Sequence, residues 1–509
     1  MQGALVSLAE ASTYLGVSKA TLRNWDRSGK LRAVRHPVND YRAYRLSDLR
    51  HLGDQLGIGE ATTSAVAEEP AIDAAAIRRR IGQVHDVLRD TDGVSNLVDR
   101  FDEITKLVFC ESMARREQGL VALTSPSDTR AYYADLVRRH QSLIPDRFAT
   151  MRASDAAIEQ ALHLLNVLAA RETGLDVAGM AYEEVIRNTF DKGDHQQFFT
   201  PEPVVDFMVS VAEPWATGAI CDPASGTGGF LAKLAARDLP YESLTGLEID
   251  DRLAWVTGIN VLLHGGHDVS STAGAEGGSL GANASPLFGR FDLILTNPPF
   301  GSDTSDPAVL GPMVLGRGRS SRRRGILFLE RCFDLLRDQG HLVILIDEGV
   351  LSLPHAGDVR AFLRERFAIE GIVALPETTF MPYATVNTSV LLLQKHGPKK
   401  PLSFFAQAEK VGRRPNGDPD IRYGSDGTAY VDTDLPAILR SWNAFNLSDE
   451  PDSSAGKTFA ASAGVGESRL DARFHHPSRA ESLRAIEQAG DRLVPLMDLC
   501  DEPNNVLVP

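Results

Sequence analysis

The pattern of apolar positions changes along the chain, and each change predicts a different kind of structure. Residues 76–190 carry apolar side chains three and four positions apart, which predicts helices. This spacing is seen at Leu97, Phe101, Ile104, Leu107 and Val108. From Ile220 onward, short continuous apolar runs alternate with helical stretches, which predicts an α/β domain with a parallel, doubly wound sheet. Later runs of this kind are residues 342–346 and 390–393.

The first 52 residues predict a small helix-turn-helix unit. A first helix extends to Tyr14, Gly16 provides the turn, and Ser18 caps a second helix. Residues 42–46 then predict a short strand, which leads into a third helix.

These patterns divide the chain into five segments. They are a helix-turn-helix unit at 1–57, a linker at 58–75, a helical domain at 76–192, a catalytic α/β domain at 193–450, and a final segment at 451–509. The linker assignment follows from small, polar and unpatterned residues. Within the catalytic domain, residues 267–286 are rich in Gly, Ser and Ala and predict a loop.

Composition narrows the class of protein. A hydrophobic content of 43% and a charged content of 24% are those of a soluble globular protein. No run of about 18 apolar residues is present to span a membrane, and the N-terminus lacks the features of a signal peptide. The four cysteines are scattered and form no Cys-x-x-Cys pair. We therefore expect a cytoplasmic protein without disulfides or a metal site.

The net charge of −15 is unevenly distributed. Residues 1–52 hold nine Lys and Arg but four acidic residues, so this segment carries +5 and the remainder −20. A second basic cluster contains Arg317, Arg319, Arg322, Arg323 and Arg324. Since local positive charge is the signature of nucleic-acid binding, we expect DNA contacts in both places, including at Arg322 and Arg323. The alternative is that both are ordinary solvated basic surfaces.

A glycine-rich turn indicates a cofactor site. The residues from Asp222 to Gly228, here called the glycine turn, follow an apolar strand and open a helix. Glycines let the backbone approach a ligand, and free N–H groups at a helix start favour an anion such as a carboxylate. We expect contacts from Asp222, Ser225, Gly226, Thr227 and Gly228. Glu248 ends the next strand, 20 residues after Gly228, where an acid can accept ribose hydroxyls.

These residues alone are compatible with S-adenosylmethionine or with a nicotinamide dinucleotide. Asn297-Pro298-Pro299-Phe300, here called the proline turn, decides between them because it suits a planar amine. The Asn297 amide oxygen and the Pro298 carbonyl can accept the two N–H bonds of an amino group, and Pro299 stiffens the turn. Phe300 can stack on a base that has been flipped out of the duplex. The sequence predicts methyl transfer from S-adenosylmethionine to an amino nitrogen.

Both turns resemble the motifs of the N6-adenine DNA methyltransferases that form the methylation subunit of type I restriction-modification systems. The resemblance covers residues 76–450 and implies a Rossmann-like, S-adenosylmethionine-dependent methyltransferase sheet. It also includes Gln197, Phe198, Phe199, Thr200 and Pro201, a segment that packs over the methionine part of the cofactor in that family. From chemistry alone, Thr200 is a helix N-cap. The resemblance further implies double-stranded DNA as substrate, with a specificity subunit and a restriction subunit as partners.

Residues 9–25 resemble the winged helix-turn-helix of the MerR and excisionase families. In such modules the second helix enters a DNA groove. This implies DNA contacts from Lys19, Thr21, Arg23 and Asn24. The alternative is a helical hairpin that contacts protein.

The chain departs from the type I pattern in three places. In Gly277-Gly278-Ser279-Leu280, glycine stands before the Ser-Leu pair, where the family has an acid or amide. The helix-turn-helix is not a standard part of that subunit. Residues 469–477 resemble the start of a target-recognition domain, but the sequence given ends at Pro509. Specificity therefore comes from a separate subunit, or the chain is part of a fused protein. Two other functions remain open, which are methylation of RNA bases or protein glutamines and a catalytically inactive DNA-binding regulator.

Overall fold

The computed structural model describes residues 74–169 and 200–489 apart from short gaps, together with scattered positions between residues 5 and 52. The gaps fall at residues 93–95, 119–122, 124, 238, 274–277, 425–427, 449–456 and 464–467. This part of the chain forms a small N-terminal unit, a helical domain and an α/β domain.

The N-terminal unit contains a three-stranded antiparallel sheet. Its strands are β1 (Leu5–Ser7), β2 (Val34–Arg35) and β3 (Arg42–Arg45), with β3 in the centre. The strand predicted at residues 42–46 is therefore confirmed. Tyr44 is buried and its hydroxyl donates to the carbonyl of Leu22 at 3.3 Å, which ties the sheet to a helical position. Lys19, Thr21, Arg23 and Asn24 lie outside the described residues.

The described part of the helical domain contains four α-helices. They are α1 (Ala74–Asp92), α2 (Leu97–Gln118), α3 (Pro126–Arg139) and α4 (Asp155–Ala169). Phe101, Ile104, Leu107 and Val108, which set the predicted apolar spacing, are buried in their common core. Residues 170–190 of the predicted domain lie outside the described part.

A nine-stranded sheet forms the centre of the α/β domain. In spatial order its strands are β6 (Val269–Ala273), β5 (Ser243–Glu248), β4 (Ala219–Asp222), β7 (Phe291–Thr296), β10 (Leu336–Asp347), β12 (Thr388–Lys395), β11 (Phe367–Leu375), β13 (Ser403–Gln407) and β16 (Thr458–Ala461). The sheet is parallel from β6 to β10, whereas β12 and β16 run antiparallel to their neighbours. It is a mixed and mostly parallel sheet.

Helices cover both faces of the sheet. They are α5 (Glu202–Ala212), α6 (Gly229–Ala235), α7 (Asp251–Leu263), α8 (Pro307–Leu310), α9 (Arg324–Leu335), α10 (Gly349–Ser352), α11 (Gly357–Arg366), α12 (Leu435–Ser448), α13 (Ala472–His475) and α14 (Pro477–Ala489). Leu293 and Leu295 of β7 face one apolar core, and Ile294 faces the other. The continuous apolar runs in the sequence reflect this burial on both sides.

Two short strand pairs lie outside the large sheet. β8 (Asp303–Thr304) pairs with β9 (Arg322–Arg323), and β14 (Ile421–Tyr423) pairs with β15 (Ala429–Val431).

The loop predicted at residues 267–286 is wrong in part, because β6 lies within it. β6 is an edge strand that pairs only with β5, and its Ser and Thr residues give no apolar alternation. The sheet also continues past residue 450, because β16 pairs with β13.

None of the helices in the described ranges combines the length and the apolar character needed to cross a bilayer.

Candidate active site

The glycine turn and the proline turn lie at the same edge of the sheet. β4 and β7 are parallel neighbours, with Ile220 opposite Leu293. From β4 the chain passes to β5 and β6 on one side, whereas β7 lies on the other side of β4. Open α/β sheets bind ligands at the carboxyl ends of the strands that flank such a reversal. The glycine turn follows β4 and the proline turn follows β7, so both lie at this reversal.

The backbone of the glycine turn requires glycine at two positions. Gly226 has φ of +54° and Gly228 has φ of +81°, both in the left-handed region. A Cβ atom on Gly228 would lie 3.0 Å from Cγ2 of Thr257, so the helix packs directly against the turn. A Cβ on Gly226 would meet no described atom within 4 Å, so this part of the turn is accessible to a ligand.

Two polar residues of α7 hold the glycine turn, and sequence reasoning missed both. The Thr257 hydroxyl donates to the Gly226 carbonyl at 2.9 Å and lies 3.2 Å from Oγ of Ser225. Asn260 Nδ2 donates to the Thr227 carbonyl at 2.9 Å. Both side chains are fully buried. The signal in the sequence was two polar residues three positions apart within an otherwise apolar helix, because buried polar groups require partners.

Glu248 links the end of β5 to the glycine turn. Its Oε2 accepts from the Gly226 N–H at 2.9 Å, and its Oε1 accepts from the N–H groups of Ile249 at 2.8 Å and Asp250 at 3.2 Å. Burial raises the pKa of this carboxyl, and the three N–H groups act against that rise. A carboxylate has about four acceptor positions, so capacity remains for a ligand hydroxyl.

Asp222 is buried beneath the glycine turn with 1% of its surface exposed. Its Oδ1 accepts from the Ala224 N–H at 3.0 Å, which shapes the start of the turn. Burial raises the pKa of Asp222 to about 7, and the nearby Glu248 carboxylate adds to the rise. The buried Asp222 side chain thus stabilises the backbone at the start of the glycine turn.

Ile249 is a further candidate contact that sequence reasoning missed. Although apolar, it is 59% exposed and directly follows Glu248. A Cβ on Gly278 would lie 3.2 Å from Cβ of Ile249, so these two residues form one apolar surface beside the carboxylate. An exposed aliphatic side chain in this position can pack against a flat aromatic ring.

The two polar atoms of the Asn297 amide differ in their hydrogen bonding. Its Nδ2 donates to the Thr200 hydroxyl at 2.9 Å. Its Oδ1 is buried and accepts no hydrogen bond from any described residue. Buried acceptors are nearly always satisfied, so an orphan oxygen requires an explanation.

The prediction that Thr200 is a helix N-cap is wrong. α5 begins at Glu202, Pro201 occupies the cap position, and no side chain caps the helix. Proline is suited to a helix start because it lacks an N–H. The Thr200 hydroxyl is therefore available to Asn297.

The rest of the proline turn is packed into the domain. Pro298 and Phe300 are buried, and the Phe300 ring meets Phe380 edge to face with centroids 5.4 Å apart. Pro298 and Phe300 line a small cavity together with Arg323 and Asp347. The stiffness expected from the two prolines is thus supplemented by tertiary packing.

The remaining predicted residues fall in three groups. Pro201 is described and buried, whereas Gln197, Phe198 and Phe199 lie outside the described residues. Arg322 is buried and donates to Asp358 at 2.8 Å. Arg323 is 47% exposed and donates to Asp347 at 2.7 Å.

Comparison with known proteins identifies the domain. Residues 173–420 match the family model described as N-6 DNA Methylase. This part of the chain is therefore similar to N-6 DNA methylases. This family implies S-adenosylmethionine as the cofactor, and residues 5–52 separately match a helix-turn-helix domain model.

Individual curated proteins are similar to part of this chain. The methylase subunit of the type I restriction enzyme EcoEI from Escherichia coli is 28% identical over 253 residues, which cover 45% of this chain and 48% of the relative. The EcoKI methylase subunit from Escherichia coli strain K12 is 25% identical over 242 residues, covering 43% and 44%. The chain thus spans about half the length of the curated relatives it matches.

A solved structure shares the fold. The methyltransferase subunit of a type I restriction-modification system from Streptococcus thermophilus superimposes with a TM-score of 0.55 at 18% identity. The match covers 80% of this chain and all of that one. The helical domain and the methylase sheet therefore occur together in a known architecture.

Proposed function

We propose that this chain transfers a methyl group from S-adenosylmethionine to N6 of an adenine flipped out of DNA, as the modification subunit of a restriction system. One observation carries the proposal above all others. The buried Oδ1 of Asn297 has no partner among the described residues, and it follows the strand next to the glycine turn.

The residues around the glycine turn fit the cofactor. Gly226 leaves open space for a ligand at the backbone, and the N-terminus of α6 favours its carboxylate. Glu248 keeps acceptor capacity for a ribose hydroxyl, and Ile249 offers an apolar surface to the adenine ring. Ser225, Thr227 and Gly228 would complete this site above the buried Asp222. By the family resemblance, residues 197–201 would contact the methionine part. The cofactor supplies an electrophilic methyl group bound to a sulfonium.

The proline turn supplies the acceptors for the amino group. The lone pair of N6 is delocalised into the adenine ring, so the nitrogen is a poor nucleophile until it pyramidalises. Asn297 Oδ1 and the Pro298 carbonyl would accept its two N–H bonds and favour that geometry. The hydrogen bond from Asn297 Nδ2 to Thr200 fixes which end of the amide points at the base. The orientation is set before substrate arrives, which lowers the reorganisation required in the transition state.

The target base must leave the duplex to reach this turn. Flipping costs a few kcal/mol, and stacking on an aromatic ring recovers about 1–3 kcal/mol. Phe300, braced by Phe380, is the ring we propose for this contact.

The partners are part of the same proposal. We propose that the DNA site is read by a specificity subunit, with a restriction subunit in the full assembly. Lys19, Thr21, Arg23 and Asn24 of the helix-turn-helix unit would add DNA contacts.

The test is a transfer assay with the full chain, S-adenosylmethionine labelled in the methyl group and DNA that carries the recognised site. The assay is run with and without a candidate specificity subunit. Mass spectrometry of the digested DNA should find N6-methyladenine. Label found only in RNA or on protein glutamine would refute the proposed substrate, and no transfer to any of the three would refute the activity.

A further inference from the structure

An acid-free segment follows the proline turn in the chain. No acidic residue occurs between Pro307 and Leu329, while five arginines occur at 317, 319, 322, 323 and 324. We call residues 307–324 the arginine loop. Its position, its rigidity and its charge together indicate what it binds.

The arginine loop is attached directly to the proline turn. Its two ends are joined by β8 and β9, which pair Asp303 with Arg323. The Arg324 N–H donates to the Ser302 carbonyl at 2.9 Å, which fixes the end of the loop two residues after Phe300. Arg323 lines the same cavity as Pro298 and Phe300. The loop therefore borders the site that would receive the flipped base.

The arginine loop is held in one conformation by a buried acid. Glu330 of α9 is 6% exposed, and its two oxygens accept from the N–H groups of Val314 at 2.7 Å and Leu315 at 2.8 Å. A further turn is closed by the Arg317 N–H, which donates to the Met313 carbonyl at 2.8 Å. The buried side chains of Met313 and Leu315 anchor the loop in the apolar core. A loop that is fixed in this way presents its cations without a large entropic cost on binding.

The charges of the arginine loop are only partly compensated. Arg319 and Arg322 donate to the same oxygen of Asp358, at 2.6 and 2.8 Å. Arg323 donates to Asp347. Arg317 and Arg324 are exposed, and no acidic partner is found for either among the described residues. Asp347 and Asp358 thus pair with three of the five guanidinium groups. Asp303 and Asp306 directly precede the loop, so the segment beside the proline turn carries an excess of one positive charge.

We propose that Arg317 and Arg324, with Arg323, bind the phosphates of the DNA strand that carries the target adenine, on either side of the flipped nucleotide. This inference rests on the proposed function. Extruding a nucleotide rotates it about its own backbone, so the flanking phosphates must be held close to the receiving turn. Arginine suits this task because its planar fork matches phosphate oxygens. Arg322 is too buried to reach DNA, and it positions the loop through Asp358.

Arg317 and Arg324 should together contribute a measurable part of the affinity for DNA. In the full chain, Arg317→Ala with Arg324→Ala should weaken binding of duplex DNA by about tenfold or more at low salt. Each lost phosphate contact should also reduce the slope of log affinity against log salt by about 0.9. The double variant is therefore expected to lose about 1.8 of the slope. Replacing both residues with Lys should restore most of the slope, since charge is the main requirement.

Arg290→Ala is the matched control. Arg290 is exposed and precedes β7, at the opposite end of the strand that leads to Asn297. It should change neither the affinity nor the slope. Unchanged S-adenosylmethionine affinity in every variant verifies that the fold is intact. Wild-type DNA affinity in the double Ala variant, or weakened affinity with an unchanged slope, would overturn the inference.

The assay separates this inference from the proposed function. If the wild-type chain methylates adenine while the double Ala variant keeps the full salt slope, only the inference fails. If the variant loses slope but no chain methylates adenine with any partner, the arginine loop binds DNA and the proposed reaction is wrong.

Discussion

The side chain of Asn297 is anchored at its nitrogen and free at its oxygen. Thr200, 97 residues earlier in the chain, accepts from the nitrogen, and this contact defines the direction in which the oxygen acts. Sequence reasoning placed the hydroxyl of Thr200 on a helix N-terminus, because short-range spacing is all that a single sequence shows. The partner of Thr200 lies on another strand end and becomes visible only when the sheet is formed.

At this scale we predict that Thr200→Val slows methyl transfer by about tenfold to a hundredfold. The substitution leaves Nδ2 of Asn297 without its acceptor, at a cost of about 1–3 kcal/mol, and lets the amide rotate. Thr200→Ser keeps the hydroxyl and should stay within a few-fold of wild type. Single-turnover rates at saturating S-adenosylmethionine measure the effect. Equal rates for the Val and Ser variants would show that the hydrogen bond is unimportant.

At the scale of elements, α7 connects the glycine turn to the helical domain. One side of the helix carries Thr257 and Asn260 toward the turn. The other side carries Trp255, which stacks on Phe148 of the helical domain with ring centroids 4.1 Å apart. Thr257 and Asn260 stand out as polar residues in the sequence of α7. Because the helix around them is apolar on all sides, the sequence does not show which side faces the glycine turn and which faces the helical domain.

Thr257→Val should therefore weaken S-adenosylmethionine binding by about fivefold to twentyfold, because the side chain keeps its shape but no longer holds the Gly226 carbonyl. The turnover rate at saturating cofactor should change by less than about threefold. Thr129→Val is the matched control, since Thr129 is also fully buried but lies in α3, where its hydroxyl donates to the Ser125 carbonyl. Calorimetric titration gives both affinities. Equal cofactor affinity in Thr257→Val and wild type would contradict the role of α7.

Strand prediction at this scale depended on burial. The central strands, buried on both faces, were visible as apolar runs, for example at residues 342–346 within β10. β6 was missed because an edge strand made of Ser and Thr has no apolar run. Its pairing with β5 becomes apparent only in the folded structure. β16 joins the sheet from a region that the sequence placed after the catalytic domain.

For the whole molecule, β11 carries a buried acid, Glu370, that should make stability depend on pH near neutrality. Burial raises the pKa of Glu370 on β11 to about 7, with Lys400 opposing the rise. His341 lies 3.8 Å from Glu370 and stacks on Trp215, and burial lowers the pKa of His341 to about 4. The histidine is therefore neutral at pH 7 and does not form an ion pair with the acid.

Because its pKa rises on folding, Glu370 binds a proton on folding between about pH 4.5 and 7. The free energy of unfolding should fall as pH rises through that window and stay level above it, as far as this group is concerned. Glu370→Gln is neutral at every pH, so its free energy of unfolding relative to wild type should increase by about 3 kcal/mol across the window. Urea unfolding at several pH values measures this difference. A constant difference from pH 4 to 8 would show that Glu370 ionises normally.

At the same scale, the sequence predicted a parallel sheet and the preceding helical domain, but it did not predict that β12 and β16 run antiparallel to their neighbours. The two predicted features follow from the periodicity of apolar positions. The sequence also did not predict the support of the arginine loop by Glu330, because that contact depends on how α9 packs against the loop.

The central claim is tested most directly by Asn297→Ala in the full chain, assayed for methyl transfer to adenine and for S-adenosylmethionine affinity. We expect transfer to fall by at least about a hundredfold because the acceptor for the amino group is lost, while the cofactor dissociation constant stays within several-fold. Asn443→Ala, exposed on α12, should change neither quantity. Near-normal methyl transfer by Asn297→Ala, or loss of its cofactor binding, would contradict the account.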